Sequence, residues 1–250
     1  MSDFSPAPCL EEVAELKAHL ADVQKRIVAA CNRANRSPEE ICLIGVSKTH
    51  ATLRIIAAYE AGLRVFGENR VQEAQDKFPL PAGETGEPRN CVLHLIGPLQ
   101  KNKVRKAVPI CAAFHGVDSI ALWEALGRVA TELDVHRDIY LQVNTSREPQ
   151  KNGFTPEDLG GVLSKLPLSS HLRLVGLMTM GPSNGDVDAT RICFRELKSL
   201  LHSCQAGHWD RFPDLQRLSM GMSGDFEMAI EEGAHDIRVG TALFGHRDYR

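Results

Sequence analysis

The sequence predicts an α/β protein whose eight parallel strands close into a single barrel. Short β-rich runs recur from residue 41 onward, and a helical pattern separates each run from the next. Eight such repeats are typical of a (β/α)8 or TIM barrel, and we expect residues 1–250 to form one such domain. A doubly wound open sheet is the alternative. Its first turn usually carries GxGxxG, whereas this chain has Ser-Lys-Thr-His after the first strand.

The elements follow one another in a regular order. A long amphipathic helix is predicted over residues 10–35, because apolar residues recur there every three or four positions. Strands are expected at 41–47, 64–67, 92–97, 113–117, 139–144, 172–180, 215–220 and 237–240. Helices are expected at 51–61, 69–77, 101–108, 120–133, 155–166, 186–202 and 226–232. Surface loops are expected at 79–90 and 181–186.

The end of the chain leaves little room for an eighth outer helix. Only ten residues follow the last predicted strand, so this helix must be short or missing. We expect the N-terminal helix to help cover the gap that results.

Composition narrows the function classes. Hydrophobic residues make up 43% and charged residues 24%, which is typical of a globular protein. No apolar run reaches the roughly 18 residues that a membrane span needs, and the first residues lack a signal peptide pattern, so a cytoplasmic location is expected. The net charge of -3 argues against a nucleic-acid partner.

Cysteine and histidine usage gives no sign of a disulfide framework or a metal site. The seven cysteines are odd in number and form no CxxC pair, so reduced thiols are expected. His202, Cys204 and His208 lie close in sequence, but their spacing matches no familiar ligand pattern. We therefore expect no bound metal.

Lys48 is the first candidate for chemistry. Active sites of such barrels lie at the C-terminal ends of the strands, and the first strand ends at Lys48. If Ile44 and Val46 fill the barrel interior, Lys48 has the same parity and points into the barrel mouth. Partial burial would favour its neutral amine, which can attack an aldehyde. The alternative is a lysine that extends to solvent from the strand's end.

A phosphate site is predicted after strands seven and eight. These loops commonly bind phosphate in TIM barrels, and here they carry Ser223, Gly224, Gly240 and Thr241. Ordinary turn chemistry is the alternative explanation for these residue types.

Arg238 shares parity with Gly240 and is expected to face the same space. A pyridine nitrogen is a plausible acceptor for a buried arginine, and an ion pair with Asp225 or Asp236 is the alternative.

Five motifs carry a resemblance to a known family. They are residues 44–50 (IGVSKTH), 66–69 (FGEN), 94–103 (HLIGPLQKNK), 218–225 (LSMGMSGD) and 238–249 (RVGTALFGHRDY). In this order, over nearly the whole chain, they resemble the pyridoxal phosphate homeostasis proteins, which were formerly filed as alanine racemase N-terminal domain-like. The resemblance implies a fold-type III barrel without a C-terminal β domain. It also implies pyridoxal 5′-phosphate as cofactor, bound as a Schiff base on Lys48.

The resemblance also implies roles for other residues. Asn69 would line the cofactor, Ser223, Gly240 and Thr241 would take the phosphate, and Arg238 would face the pyridine nitrogen. The polar stretch at 142–154 is similar to one in the family, and its Lys151 looks like a second site for handling the cofactor.

Three function classes are compatible with these residues. A carrier that maintains vitamin B6 homeostasis, with little or no catalysis, agrees with Arg238, because an unprotonated pyridine is a weak electron sink. A racemase of low activity is the alternative, but the resemblance implies that it needs a tyrosine from a further domain, and the chain ends at Arg250. None of Tyr59, Tyr140 and Tyr249 is predicted to replace that base. A cofactor-free Schiff-base aldolase is the third class.

The carrier hypothesis predicts the partners. They are pyridoxal phosphate and recipient apoenzymes, and we expect a monomer, since no exposed apolar stripe is evident.

Overall fold

The computed structural model describes residues 8–79, 89–208 and 210–245, and these form eight strands and nine α-helices. The strands are β1 (Cys42–Val46), β2 (Val65–Glu68), β3 (Val92–Leu95), β4 (Ala113–Val117), β5 (Arg137–Gln142), β6 (Leu172–Met178), β7 (Arg217–Met222) and β8 (Asp236–Val239). The helices are α1 (Leu10–Arg33), α2 (Thr52–Glu60), α3 (Val71–Lys77), α4 (Val104–Ala107), α5 (Ile120–Glu132), α6 (Leu159–Lys165), α7 (Val187–His208), α8 (Phe226–Glu231) and α9 (Thr241–Phe244).

The strands form one closed parallel barrel in chain order. Closure comes from β1 and β8, which pair with Cys42 opposite Asp236 and Ile44 opposite Arg238. The predicted barrel class is confirmed, and the open sheet is excluded, because a closed barrel leaves no edge strand.

Side chains alternate along β1 as the prediction required. Leu43 packs on the outer core beneath the helices, and a Cβ on Gly45 would meet the Leu63 side chain on that outer face. Ile44 and Val46 take the other parity and are buried. Lys48, two residues farther on, reaches the barrel mouth.

The N-terminal helix covers the end of the barrel wall, as expected. α9 has four residues, and α1 packs against α2, α8 and α9. His19 Nδ1 lies 2.9 Å from the Leu243 carbonyl oxygen. Arg54 donates to the Phe244 carbonyl at 2.9 Å and to Glu12 at 3.0 Å, so one guanidinium joins α1, α2 and the last turn.

Several helix bounds differ from the prediction for local reasons. The sixth helix begins at Leu159 instead of 155, because residues 156–158 form a turn closed by the bond from the Asp158 N–H to the Thr155 carbonyl, and two glycines follow in the first turn of the helix. The predicted 101–108 helix begins as a 3₁₀ turn. α7 continues to His208, because buried Leu201 and Cys204 extend its core face.

Some predicted features fall partly outside the residues that the structure describes. Residues 80–88 of the predicted loop at 79–90 lie outside them, as does Tyr249 at the end of the last motif. Within the described ranges, no helix combines the length and apolar character that a membrane crossing requires.

Candidate functional site

A cavity of about 490 Å³ opens at the C-terminal ends of the strands. Its lining includes every predicted site residue: Lys48, Asn69, Ser223, Gly224, Arg238, Gly240 and Thr241. Lys151 also lies on its wall. The structure therefore brings together residues from opposite ends of the chain, as the barrel prediction required.

The charge of the lining is one-sided. It contains three cationic residues, Lys48, Lys151 and Arg238, and none of the described residues on its wall is Asp or Glu. A wall with this composition favours an anionic ligand, because the surrounding protein screens the cations less than bulk water does.

Backbone donors converge at the end of β8. The Ser223 hydroxyl oxygen accepts the Gly240 N–H at 3.0 Å and the Ala242 N–H at 3.4 Å. Two N–H groups thus point at one oxygen, and Thr241 also lines the cavity. This arrangement suits the oxygens of a phosphate group.

Arg238 is fixed deep in the cavity. Its side chain is only 4% exposed, and it donates to Ser219 Oγ at 2.6 Å and to the Thr179 carbonyl at 2.8 Å. A guanidinium has five N–H donors, so others remain for a ligand. Burial lowers the pKa of Arg238 to about 10, and the group stays cationic at neutral pH.

Among the described residues, Arg238 forms no ion pair with Asp225 or Asp236. The carboxylate of Asp236 instead accepts from Arg217 at 2.9 and 3.0 Å and from the Tyr140 hydroxyl at 2.9 Å. Asp225 accepts the Met222 N–H within its own turn. Arg238 therefore faces the cavity held by neutral partners.

A buried hydrogen-bonded chain runs from Arg238 along the barrel interior. Ser219 Oγ lies 2.8 Å from His115 Nδ1, and His115 Nε2 lies 3.0 Å from His94 Nδ1. Burial lowers the pKa of His115 well below its usual value and that of His94 to about 4, so both rings are neutral at pH 7. Since Ser219 accepts from Arg238, its own hydroxyl hydrogen is available to His115.

The chain ends at a second cavity, of about 360 Å³, at the N-terminal ends of the strands. Two arginines lie on its wall, and each is bonded to a carboxylate: Arg217 to Asp236 and Arg173 to Asp138. Both arginine charges are therefore already paired within the protein.

The loop after β5 folds over the wall of the first cavity. Gln142 donates to the Asn152 carbonyl at 2.7 Å, and Phe154 N–H donates back to the Gln142 carbonyl at 2.8 Å. Gly153 has φ +129°, and a Cβ there would lie 2.9 Å from Asn144 N, so the turn requires glycine. This turn places Gln150, Lys151 and Asn152 on the cavity wall.

The Lys151 ammonium has three acceptors. It donates to Ser146 Oγ at 3.2 Å and to the Gly181 carbonyl, and it forms an ion pair with Glu148. The hydrogen bond from Lys151 lowers the pKa of Glu148 to about 2. Lys151 therefore lies on the cavity wall with its charge already paired with Glu148.

Asn69 reaches the cavity because the neighbouring strand end has no side chain. A Cβ on Gly97 would lie 2.5 Å from the Asn69 carbonyl oxygen, closer than any side chain allows. The close approach of these two backbones sets Asn69 on the wall beside Ile96 and Pro98.

A family model described as alanine racemase, N-terminal domain, matches residues 18–248. The chain belongs to this family. It is 36% identical over 230 residues to the pyridoxal phosphate homeostasis protein of Aquifex aeolicus. This alignment covers 92% of this chain and 97% of that protein.

Solved structures agree with the assignment. PipY of Synechococcus elongatus, solved with pyridoxal phosphate bound, superposes with a TM-score of 0.78 at 37% identity, covering 92% of this chain and all of that one. An alanine racemase of Clostridium difficile superposes with a TM-score of 0.68 at 14% identity, covering 94% of this chain and 56% of that one. The racemase likeness shows a shared barrel alone.

In this family member, sequence reasoning missed part of the cavity wall. The additional lining residues are Val46, Ile96, Gly97, Pro98, Gln142, Gln150, Asn152, Met180 and Met222. Most are the last residue of a strand or lie within three residues after it. Parity along β5 was a usable signal for Gln142, which lies two residues after inward-facing Tyr140.

The cysteine and histidine residues form no metal centre in the part of the chain that is described. No group of three or more His, Cys, Asp or Glu side chains there is arranged to hold a metal ion. Cys204 is buried on α7, whereas His202 is exposed on the same helix. The seven cysteines all fall within the described ranges, and none is in a disulfide.

Proposed function

We propose that this protein binds pyridoxal 5′-phosphate through Lys48 and carries it within the cytoplasm, as a vitamin B6 homeostasis protein. The observation that carries the proposal is the first cavity, where a lysine amine, a phosphate-type donor set and a buried arginine meet without a carboxylate on the described wall. The names of the relatives, and the bound ligand of PipY, support the same ligand.

The residues fit this cofactor group by group. When bound, pyridoxal phosphate supplies an aldehyde that a lysine amine converts to a Schiff base with loss of water. Lys48 would supply that amine, and Ser223, Gly224, Gly240 and Thr241 would hold the phosphate. Asn69 would lie along the ring, and Arg238 would donate to the pyridine nitrogen.

Arg238 favours storage over catalysis. Because its guanidinium is cationic and held by Ser219 and Thr179, it would donate to the pyridine nitrogen and keep that nitrogen unprotonated. A neutral pyridine withdraws electrons weakly, so it gives little help to the breaking of bonds in an amino acid.

Racemisation also requires a second base, and the described residues of the cavity wall offer no candidate for it. It holds no tyrosine, and its second lysine, Lys151, is engaged by Glu148, Ser146 and Gly181. Tyr140 bonds to Asp236, and Tyr59 lies on α2 under the Arg64 guanidinium. These contacts support the proposed carrier with little or no catalysis.

The proposal is tested by an absorbance spectrum of the purified protein and of Lys48→Ala, each incubated with pyridoxal phosphate. We expect a visible band that is lost in Lys48→Ala. We also expect no turnover of amino acids and a gain of activity when the holoprotein meets an apoenzyme that depends on pyridoxal phosphate. Amino-acid racemisation at an ordinary enzyme rate of about 1 per second would reject the carrier. Absence of the band would instead favour the hypothesis of a cofactor-free Schiff-base aldolase.

A further inference from the structure

Lys77, at the end of α3, lies outside the cavity but contacts the turn that carries Lys48. Its ammonium has three acceptors: the Ser47 carbonyl at 3.1 Å, Glu68 Oε1 at 3.0 Å and Glu73 Oε2 at 3.1 Å. An ammonium has three N–H donors, so each donor has one acceptor here. We call Ser47, Glu68, Glu73 and Lys77 the Lys77 cluster.

The Lys77 cluster holds the backbone on both sides of Lys48. Before it, Ser47 Oγ donates to Glu68 Oε1 at 2.7 Å and Ser47 N–H donates to the Gly67 carbonyl at 3.0 Å. After it, Thr49 N–H donates to Glu73 Oε2 at 2.8 Å. The Lys77 ammonium joins the two sides, since it contacts both carboxylates and the Ser47 carbonyl.

The turn itself needs such support. Thr49 has φ +68°, in the left-handed region that residues other than glycine rarely adopt. A residue held there costs about 1–3 kcal/mol and persists only when its surroundings fix it. The bond from Thr49 N–H to Glu73 is one such constraint.

Stability alone does not explain the Lys77 cluster. Glu68 and Ser47 are fully buried, and Glu68 Oε2 has no hydrogen-bond partner among the described residues. Burial raises the pKa of Glu68, which shows that its charge is costly there. Apolar side chains of similar volume often stabilise a fold as well as a buried ion pair does. A charged cluster behind Lys48 therefore suggests a role in positioning.

We propose that Lys77 is a positioning residue that fixes the turn at 47–49 and so sets the rate at which Lys48 bonds to its aldehyde ligand. This inference rests on the proposed function. In that step, here termed covalent loading, the neutral Lys48 amine bonds to the aldehyde carbon, and the aldehyde oxygen leaves as water with both amine protons. A misplacement of about 1 Å at the reacting atom can cost on the order of 10²-fold in rate.

Two variants at matched positions test the inference. Lys77→Met removes the cluster's cation, and Lys165→Met removes an exposed lysine from the end of α6, which like α3 has seven residues. We expect covalent loading to slow about tenfold or more in Lys77→Met, by the same sensitivity to position, and to be unchanged in Lys165→Met. Affinity for pyridoxine 5′-phosphate, which has no aldehyde, should stay within about twofold in both variants, because the cavity wall is intact.

A double variant separates positioning from folding. Glu68→Gln together with Lys77→Met removes the buried charge that Lys77→Met leaves without its partner, while the glutamine still accepts from Ser47. We expect the double variant to regain thermal stability but to load as slowly as Lys77→Met. Recovery of the loading rate together with stability would overturn the inference, as would a wild-type rate in Lys77→Met. Failure of the wild-type protein to load at all would instead reject the proposed function.

Discussion

The two ends of the barrel differ in how their arginine side chains are paired. At the N-terminal end, Arg173 and Arg217 lie on the cavity wall, and each is bonded to an aspartate. At the C-terminal end, the wall carries three cationic residues and, among described residues, no carboxylate. The arginines at the N-terminal end are therefore neutralised by the protein's own carboxylates, and Lys151 is likewise paired with Glu148, whereas Arg238 at the C-terminal end has only neutral partners and keeps its positive charge for a ligand. If this difference governs binding, changes of charge on the two cavity walls should have different effects.

The largest effect is expected when a carboxylate is placed on the cation-rich wall. In Thr241→Asp, the new charge lies where we place the phosphate, and like charges in contact cost several kcal/mol. We expect affinity for pyridoxine 5′-phosphate, measured by titration calorimetry, to fall by about 100-fold or more. Thr241→Asn, which has the same shape without the charge, should lose only about fivefold. Equal affinities for the two variants would contradict the electrostatic account.

The next effect concerns the deepest cation. Arg238→Gln keeps a donor for Ser219 or Thr179 but removes the positive charge, and a hydrogen bond to a charged group contributes about 2 kcal/mol. We expect affinity for the same probe to fall about thirtyfold. Arg173→Gln, at the other end, should leave affinity unchanged. A loss of the same size in both variants would mean that overall charge, and not the cavity wall, determines binding.

At the N-terminal end, a charge change should alter stability and leave binding intact. Asp236→Asn weakens the contacts with Arg217 and Tyr140, and we expect the free energy of unfolding in urea to fall by about 2 kcal/mol. Asp138→Asn breaks an exposed pair with Arg173 and should cost about 0.5 kcal/mol. Affinity for pyridoxine 5′-phosphate should stay within about twofold in both. A thirtyfold loss in Asp236→Asn would show that the two ends are coupled.

The smallest expected effect is on the pH dependence of stability, which His94 influences from the barrel interior. Burial lowers the pKa of His94 to about 4 from its ordinary 6.5, so between these values the unfolded chain binds a proton that the folded chain does not. The contribution of the neutral His94 ring to the free energy of unfolding is therefore fully present above about pH 7, and it is lost as pH falls towards 4.

Between pH 7 and 5.5 the contribution of His94 is about 1 kcal/mol. We expect urea unfolding of His94→Gln to show a pH dependence that is smaller by about this amount. Gln can still accept from His115, so the interior chain persists. An unchanged pH dependence would contradict the neutral histidine chain.

Much of this cavity was predictable from sequence, because a closed barrel turns position along the chain into position in space. Parity placed Lys48 at the mouth beyond Ile44 and Val46, and the strand-end rule placed Ser223 and Gly240 nearby. For Arg238 the sequence allows two alternatives, because it does not show whether a neighbouring aspartate is already bound by another residue. The structure shows that Arg217 and Tyr140 take Asp236.

The remaining features depend on contacts between distant segments. Ser219 and His115 are 104 residues apart, and their contact depends on how two non-adjacent strands point inward across the barrel. Lys77 meets Glu68 and Ser47 only because α3 packs back on the barrel wall. Neither contact has a periodic or compositional signal, so no sequence pattern could have predicted it.

The most direct test of the central claim is to locate the covalent attachment. The holoprotein is reduced with borohydride and digested, and its peptides are identified by mass spectrometry, with Lys48→Ala as the control. The account predicts one pyridoxyl phosphate group on the peptide that contains Lys48, and none on the corresponding peptide of the variant. Attachment mainly at Lys151, or an undiminished label in Lys48→Ala, would contradict it.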